Sequence, residues 1–204
     1  MFTFMCFIYI YHFQQTEEHK YRTEHSAGLH LLSTALADYC GIHISEENLP
    51  DAIRTGTHGK PELTSYPDIH FNISHCEEIA VCALSRHEIG VDIEKIRPFR
   101  DSIIRKALTL EEQEFLKQMS TDDRSHWECF FRLWTLKESR IKHSGMGLSM
   151  PLDSFSFRYD LGCSPSKIIC SEPDLYFHQQ ILDNEYVLSA CTAVPETIPK
   201  IIYI

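Results

Sequence analysis

Between Trp127 and Leu148 the chain reads WECFFRLWTLKESRIKHSGMGL, and no other stretch restricts the fold as strongly. On a helix that turns by roughly 100° per residue, Trp127, Phe130, Phe131, Trp134 and Ile141 gather on one side as a wide apolar stripe. Glu138 falls inside that stripe, and Lys142, one turn further on, lies at its edge. On an exposed helix a Glu and a Lys four apart are an ordinary surface pair. Here the carboxylate sits among aromatic side chains, where lost solvation must be offset by a metal ion, a paired cation or a raised pKa. Gly145 and Gly147 then end the helix, and GMG allows a tight turn with positive φ that sends the chain back over the helix end.

A second group of acids lies upstream in EIGVDIEKIRPF, Glu88 to Phe99. In a strand, Val91 and Ile93 face one way while Asp92 and Glu94 face the other, so two carboxylates project side by side. Read by itself this is either a polar strand face or a cation site. Paired hard oxygen ligands of this kind suit Mg²⁺ or Mn²⁺ carrying waters and phosphate oxygens. The chain turns basic immediately afterwards, with Lys95, Arg97, Arg100, Arg105 and Lys106. The formal net charge is −10, so this local patch points to an acidic partner. The same net charge argues against general binding of nucleic acid or anionic membrane.

The rest of the chain reads as a mixed α+β fold. MFTFMCFIYIYHF has no basic start and no cleavage site and is too short to span a bilayer, so a buried first strand is expected. Leu29, Leu32 and Leu36 mark a helix from about Ser26 to Tyr39 that stops at Gly41 and is preceded by Lys20, Arg22 and His25. Turn-forming residues fill 41–70, and within them GKP places Lys60 on a rigid turn suited to a phosphate. HFNISH and IAVCALS follow as strands. Ser74 and His75 do not form a hydrolase pair: GxSxG is absent, and neighbours on a strand point to opposite faces. A helix over 108–116 takes Thr109 as its N-cap, with Glu111 and Glu112 in the first turn. DSFSFRY, DLYFHQQIL and EYVLSACTAV read as strands of an antiparallel sheet. The order of elements recurs about twice, which suggests two similar α+β halves, 1–95 and 96–204. With 204 residues, 43% of them hydrophobic, the chain can fill one core or two small ones. Its eight cysteines are scattered without paired spacing, which signals neither a zinc ribbon nor a disulfide framework, and a cytoplasmic protein is expected.

GKP with FNISH, then GVDIE, then WTLKESRIKHSGMGLSMPLDSF occur in one order. Together they resemble the 4′-phosphopantetheinyl transferase superfamily, of the long two-halved type that activates carrier proteins. The resemblance implies a pseudo-twofold α+β fold and likewise a reaction. A serine hydroxyl of an apo acyl or peptidyl carrier protein attacks the β-phosphate of coenzyme A, giving holo carrier protein and 3′,5′-ADP. It implies Mg²⁺ (or Mn²⁺) on Asp92, Glu94 and Glu138, Lys142 at the leaving phosphate, and Glu138 or Glu112 as the base that takes the serine proton. Lys60, Ser74, His75, Lys20, Arg22 and His25 are implied as coenzyme A contacts. The first helix reads SAGLHLL where relatives commonly carry arginine, so either Lys20, Arg22, His25 and His30 carry the 3′-phosphate contact or the nucleotide is held more weakly. The patch around Arg97, Arg100, Arg105 and Lys106 is implied as the docking surface for an acidic carrier protein, and a monomer is expected.

Overall fold

The computed structural model describes residues 6–14, 20–56, 59–160, 167–195 and 199–204, and for residues 20–22 and 148 the backbone alone. In chain order the elements of the first part are β1 (Phe7–His12), α1 (Lys20–Ala35), α2 (Leu49–Ala52), β2 (Ile53–Thr55), β3 (Pro61–Leu63), β4 (His70–Cys76), β5 (Ile79–Ser85) and β6 (Ile89–Lys95). They are followed by α3 (Ile104–Ala107), α4 (Leu110–Met119), α5 (Asp123–Ser144), β7 (Phe157–Asp160), β8 (Lys167–Cys170), β9 (Tyr176–Leu182), β10 (Tyr186–Thr192) and β11 (Lys200–Tyr203). The fold is mixed α+β, as expected.

Alternation along β1 explains the layering. Phe7 and Tyr9 join Ala27, Leu31, Leu32 and Ala35 of α1 in one core, while Ile8 and Ile10 point into a second core with Val81, Ala83, Val91, Ile93, Leu188 and Ala190. The four-stranded sheet β11-β1-β5-β4 is therefore covered by α1 on one face and by the three-stranded sheet β6-β10-β9 on the other. Strand β5, buried at all seven positions, needs no polar face because both of its faces are covered. A third core lies beyond the second sheet, where Phe130, Phe131, Leu133 and Leu136 of α5 meet Leu116 of α4, Phe157 of β7 and Val187 of β10.

Several elements differ from the expectation. Helix α1 begins at Lys20, six residues before the expected start at Ser26, and its last turn widens into a π turn over Leu36–Cys40 that stops at Gly41, φ 66°. The turn-rich region holds α2 and the β2–β3 hairpin, and it contributes Leu49 and Leu63 to the first core. Strands β8 and β11, four residues each, went unanticipated because edge strands this short show no clear alternation. The sheets also cross residue 95: β6 pairs with β10, and β11 pairs in parallel with β1. The described cysteines are all free, while Cys163 lies outside the described residues. Among the described residues no helix is long and apolar enough to cross a membrane.

Candidate active site

The two sheets meet at a seam built by side chains. Strand β4 carries a polar group at every second position, and these groups take the outward N–H groups of β6. Asn72 Oδ1 accepts from Val91 N at 2.9 Å, Ser74 Oγ from Ile93 N at 3.4 Å, and Cys76 Sγ from Lys95 N at 3.3 Å. Those donors would otherwise be orphaned between the sheets. The seam sets Ser74 beside Asp92, to whose Oδ1 its hydroxyl donates at 3.0 Å.

Helix α5 closes over the same strand. A Cβ on Gly90 would lie 2.0 Å from Ser139 O and 2.3 Å from His143 N, both backbone atoms, so only glycine admits this approach. Thr135 and Ser189 lock the helix to β10 through a 2.7 Å contact between hydroxyls. The helix is buried further round than its aromatic stripe suggests, because Leu133, Thr135, Leu136, Lys137 and Ser139 are buried as well. Its end is set by Gly145, φ 70°, whose N–H reaches Ile141 O at 3.0 Å. The close approach brings Lys142 Nζ to 2.7 Å from Asp92 Oδ1 and 2.8 Å from Ser74 Oγ. The Ser74 hydroxyl, donating once and accepting twice, is then saturated.

Asp92, Glu94, Glu138, Lys142, Ser74, His75, Ile73 and Trp134 line one open cleft of about 350 Å³. Asp92 is 4% exposed, and its second oxygen, Oδ2, is buried without a hydrogen-bond partner. Burial, and then the charge of Asp92, push the Glu94 carboxyl up to about 7. The same two causes raise Glu138, with Lys142 acting against them. Three acids thus share a low-dielectric cleft with one ammonium, and each ionised carboxylate penalises the next. As they stand, no three His, Cys, Asp or Glu among the described residues form a ready metal cluster. The donor set is nevertheless that of a hard divalent cation: oxygen ligands only, an orphaned Asp92 oxygen and an excess of negative charge.

A larger cavity of about 460 Å³ adjoins this cleft, with Glu138 and Lys142 lining both. Its remaining walls are mostly apolar or backbone: Pro61, Ile141, Met150, Pro151 and Leu152, with Asn72, Lys60 and three glycines. Lys60 is on this wall, but its ammonium turns inward to Glu88 and to the carbonyls of Ile89 and His143.

Glu112 stands apart from these residues. It forms the capping box of α4 with Thr109, accepts from Phe157 N at 2.8 Å, and pairs with Lys137 at 2.8 Å, both side chains being 0% exposed. It lines neither cavity. Lys137, which sequence reasoning passed over, also donates to Leu152 O and Phe155 O, both at 2.7 Å, and so holds the segment that walls the larger cavity. An apolar neighbourhood around the Lys of KES was the available signal. His75 borders the cleft, 3.6 Å from Glu24 of α1, and His25 is exposed on the same helix; the side chains of Lys20 and Arg22 lie outside the described residues. Arg97, Arg100, Arg105 and Lys106 are all exposed, and Arg97 reaches back to Glu94 at 3.7 Å, so this patch begins at the rim of the cleft. Leu110, 84% exposed, sits beside it in sequence.

Comparison with known proteins finds relatives of this chain. A 4′-phosphopantetheinyl transferase of Bacillus subtilis is 36% identical over 169 residues, covering 81% of this chain and 72% of its own length. 4′-Phosphopantetheinyl transferase Sfp of Bacillus subtilis (strain 168) is 36% identical over 143 residues, 70% of this chain and 63% of its own. 4′-Phosphopantetheinyl transferase gsp of Aneurinibacillus migulanus is 40% identical over 114 residues, 56% of this chain and 46% of its own. The chain thus spans between about half and three quarters of these relatives. Residues 88–191, which include β6, α5 and the cleft acids, match the family model described as 4′-phosphopantetheinyl transferase superfamily, and to that family of transferase enzymes the chain belongs.

Proposed function

We propose that this chain transfers the 4′-phosphopantetheine group of coenzyme A to a serine of an apo carrier protein, releasing 3′,5′-ADP. The observation that carries the reading is the meeting of Asp92, Glu94, Glu138 and Lys142 from β6 and α5 in one cleft, with Asp92 Oδ2 unpartnered. Mg²⁺ or Mn²⁺ on Asp92, Glu94 and Glu138 would offset the charge of the pyrophosphate and make its phosphorus a better electrophile. The serine oxygen forms a bond to the β-phosphorus as the bond from that phosphorus to the bridging oxygen breaks. Glu138, which lines this cleft from α5, is proposed to take the serine proton, directly or through a water. Glu112, paired with buried Lys137 and lining neither cavity, is a weaker candidate for this role. Lys142, in the same cleft, would stabilise the departing 3′,5′-ADP phosphate with its ammonium. The adjoining apolar cavity suits the pantetheine arm.

His75, His25, Lys20 and Arg22 are proposed to face the nucleotide from α1 and β4. Ser74 acts by orienting Asp92 and Lys142. The two pseudo-symmetric halves are taken to be α1 with its four-stranded sheet and α5 with its three-stranded sheet. We place the protein in the cytoplasm, where free thiols persist. Arg97, Arg100, Arg105 and Lys106 form the docking surface for an acidic carrier protein. Reversing charge at Arg100, Arg105 and Lys106, away from the Arg97–Glu94 contact, is expected to raise KM for carrier protein by about tenfold or more and leave KM for coenzyme A nearly unchanged. Equal loss toward both substrates would remove the docking role. The overall reading is tested by intact-mass spectrometry of several apo carrier proteins incubated with the enzyme, coenzyme A and Mg²⁺. Gain of one phosphopantetheine, abolished by chelator, is expected; cleavage of coenzyme A without transfer would make the protein a hydrolase.

A further inference from the structure

We infer that the ammonium of Lys60 is a pin that sets the wall of the apolar cavity, and not the phosphate ligand that its GKP turn suggests. The inference uses the transfer reading only to choose test substrates. An ammonium has three hydrogens, and Lys60 has spent all three: on the Glu88 carboxylate, on Ile89 O at 3.1 Å and on His143 O at 2.9 Å. These acceptors belong to the approach to β6, its first residue and the last turn of α5. The side chain is 11% exposed, so the charge is directed inward.

Each partner has its own physical reason. His143 O is one of the carbonyls that a helix leaves unsatisfied at its C-terminus, where a cation also complements the helix dipole. The stem of Lys60 rests on Gly145, where an added Cβ would come within 3.2 Å of Lys60 Cβ. Glu88 is steadied from behind by His70 Nδ1 at 3.1 Å. At the other end, the carbonyl of Lys60 accepts from Gly56 N at 2.7 Å, which roots the pin in the β2–β3 hairpin. The hairpin wall of the cavity, Gly59 to Pro61, is thereby fastened to the helix that carries Glu138 and Lys142. A phosphate competing for this ammonium would have to displace Glu88 and approach its carboxylate.

The two roles predict opposite signs for Glu88→Gln. The full chain and its Glu88→Gln and Lys60→Met variants are assayed for transfer with coenzyme A and with 3′-dephospho-coenzyme A, and amide hydrogen exchange over residues 141–147 is followed without substrate. A pin predicts that both variants exchange faster and raise KM by about fivefold to tenfold, by the same factor for the two substrates. A phosphate ligand predicts that Glu88→Gln lowers KM for coenzyme A and that Lys60→Met erases any preference over the dephospho analogue; either result would overturn the inference. If the unaltered chain transfers nothing, the functional reading falls and exchange alone decides: faster exchange in both variants supports the pin, and unchanged exchange overturns it.

Discussion

Helix α5 carries two lysines five residues apart, and each is paired with an acid from another element. Lys137 meets Glu112 of α4 at 2.8 Å with neither side chain exposed, while Lys142 meets Asp92 of β6 at 2.7 Å with the lysine 28% exposed. The first pair is closed. Glu112 also takes the N–H groups of Thr109 and Phe157, and Lys137 donates to two carbonyls, so both carboxylate oxygens and all three ammonium hydrogens are engaged. The second pair is open: Asp92 keeps a bare buried oxygen, and Glu94 and Glu138 share its cleft. A lysine and a carboxylate thus make a closed fastening in one place and an open, accessible pair in the other. What differs is whether hydrogen bonding is complete and whether water or substrate can reach the pair.

The contrast can be tested at both lysines. Lys137→Met is expected to lower unfolding free energy by about 3–5 kcal/mol, because it strands a buried carboxylate. Changing Glu112 to Leu as well should recover only part of this, since Thr109 N and Phe157 N lose their acceptor; urea unfolding of the single and double variants checks both statements. Lys142→Met should cost less stability than Lys137→Met, because the lysine is 28% exposed and water can enter the cleft, while cutting transfer by roughly 10²–10³-fold in kcat. Equal stability losses at the two lysines would erase the distinction.

Smaller effects sharpen it. Gly90→Ala forces α5 away from β6 and should cost about 1–3 kcal/mol, with transfer falling because Lys142 and Glu138 ride on that helix. A variant with lost stability but intact kcat would show that the close approach serves packing alone. The Glu88 pair of Lys60 lies between the extremes, the glutamate side chain being 49% exposed. Hydrogen bonding from His70, then from Lys60, lowers its carboxyl from an ordinary 4.5 to about 2. Its contribution is therefore full above pH 4.5 and is lost as pH falls toward 2. Solvent screening keeps this contribution well below about 1 kcal/mol. Acid unfolding of Glu88→Gln should lack that part of the slope, and an unchanged slope would show the pair to be thermodynamically silent.

Sequence patterns made α5 and β6 legible because both carry charge against an apolar period: Glu138 within an aromatic stripe, and Asp92 and Glu94 opposite Val91 and Ile93. Thr109 as N-cap was legible for the same local reason, and its capping box uses Glu112. Local pattern failed wherever a partner was distant. Nothing around Glu112 reveals a lysine 25 positions later, so a carboxylate that fastens two helices was open to being read as a base. GKP reads as a turn that offers Lys60 to a phosphate because the acceptors that hold its ammonium, at Glu88, Ile89 and His143, are distant in sequence. Asn72, Ser74 and Cys76 alternate visibly. Their purpose is set by the N–H groups of β6, which no spacing discloses.

The most direct measurement is the intact mass of one apo carrier protein after incubation with coenzyme A, Mg²⁺ and either the unaltered chain or Glu138→Gln, with melting curves recorded for both proteins. The expected result is one phosphopantetheine added by the unaltered chain and almost none by the variant, with closely similar melting. Full transfer by Glu138→Gln would contradict the assignment of the cleft between β6 and α5 as the place where the serine loses its proton.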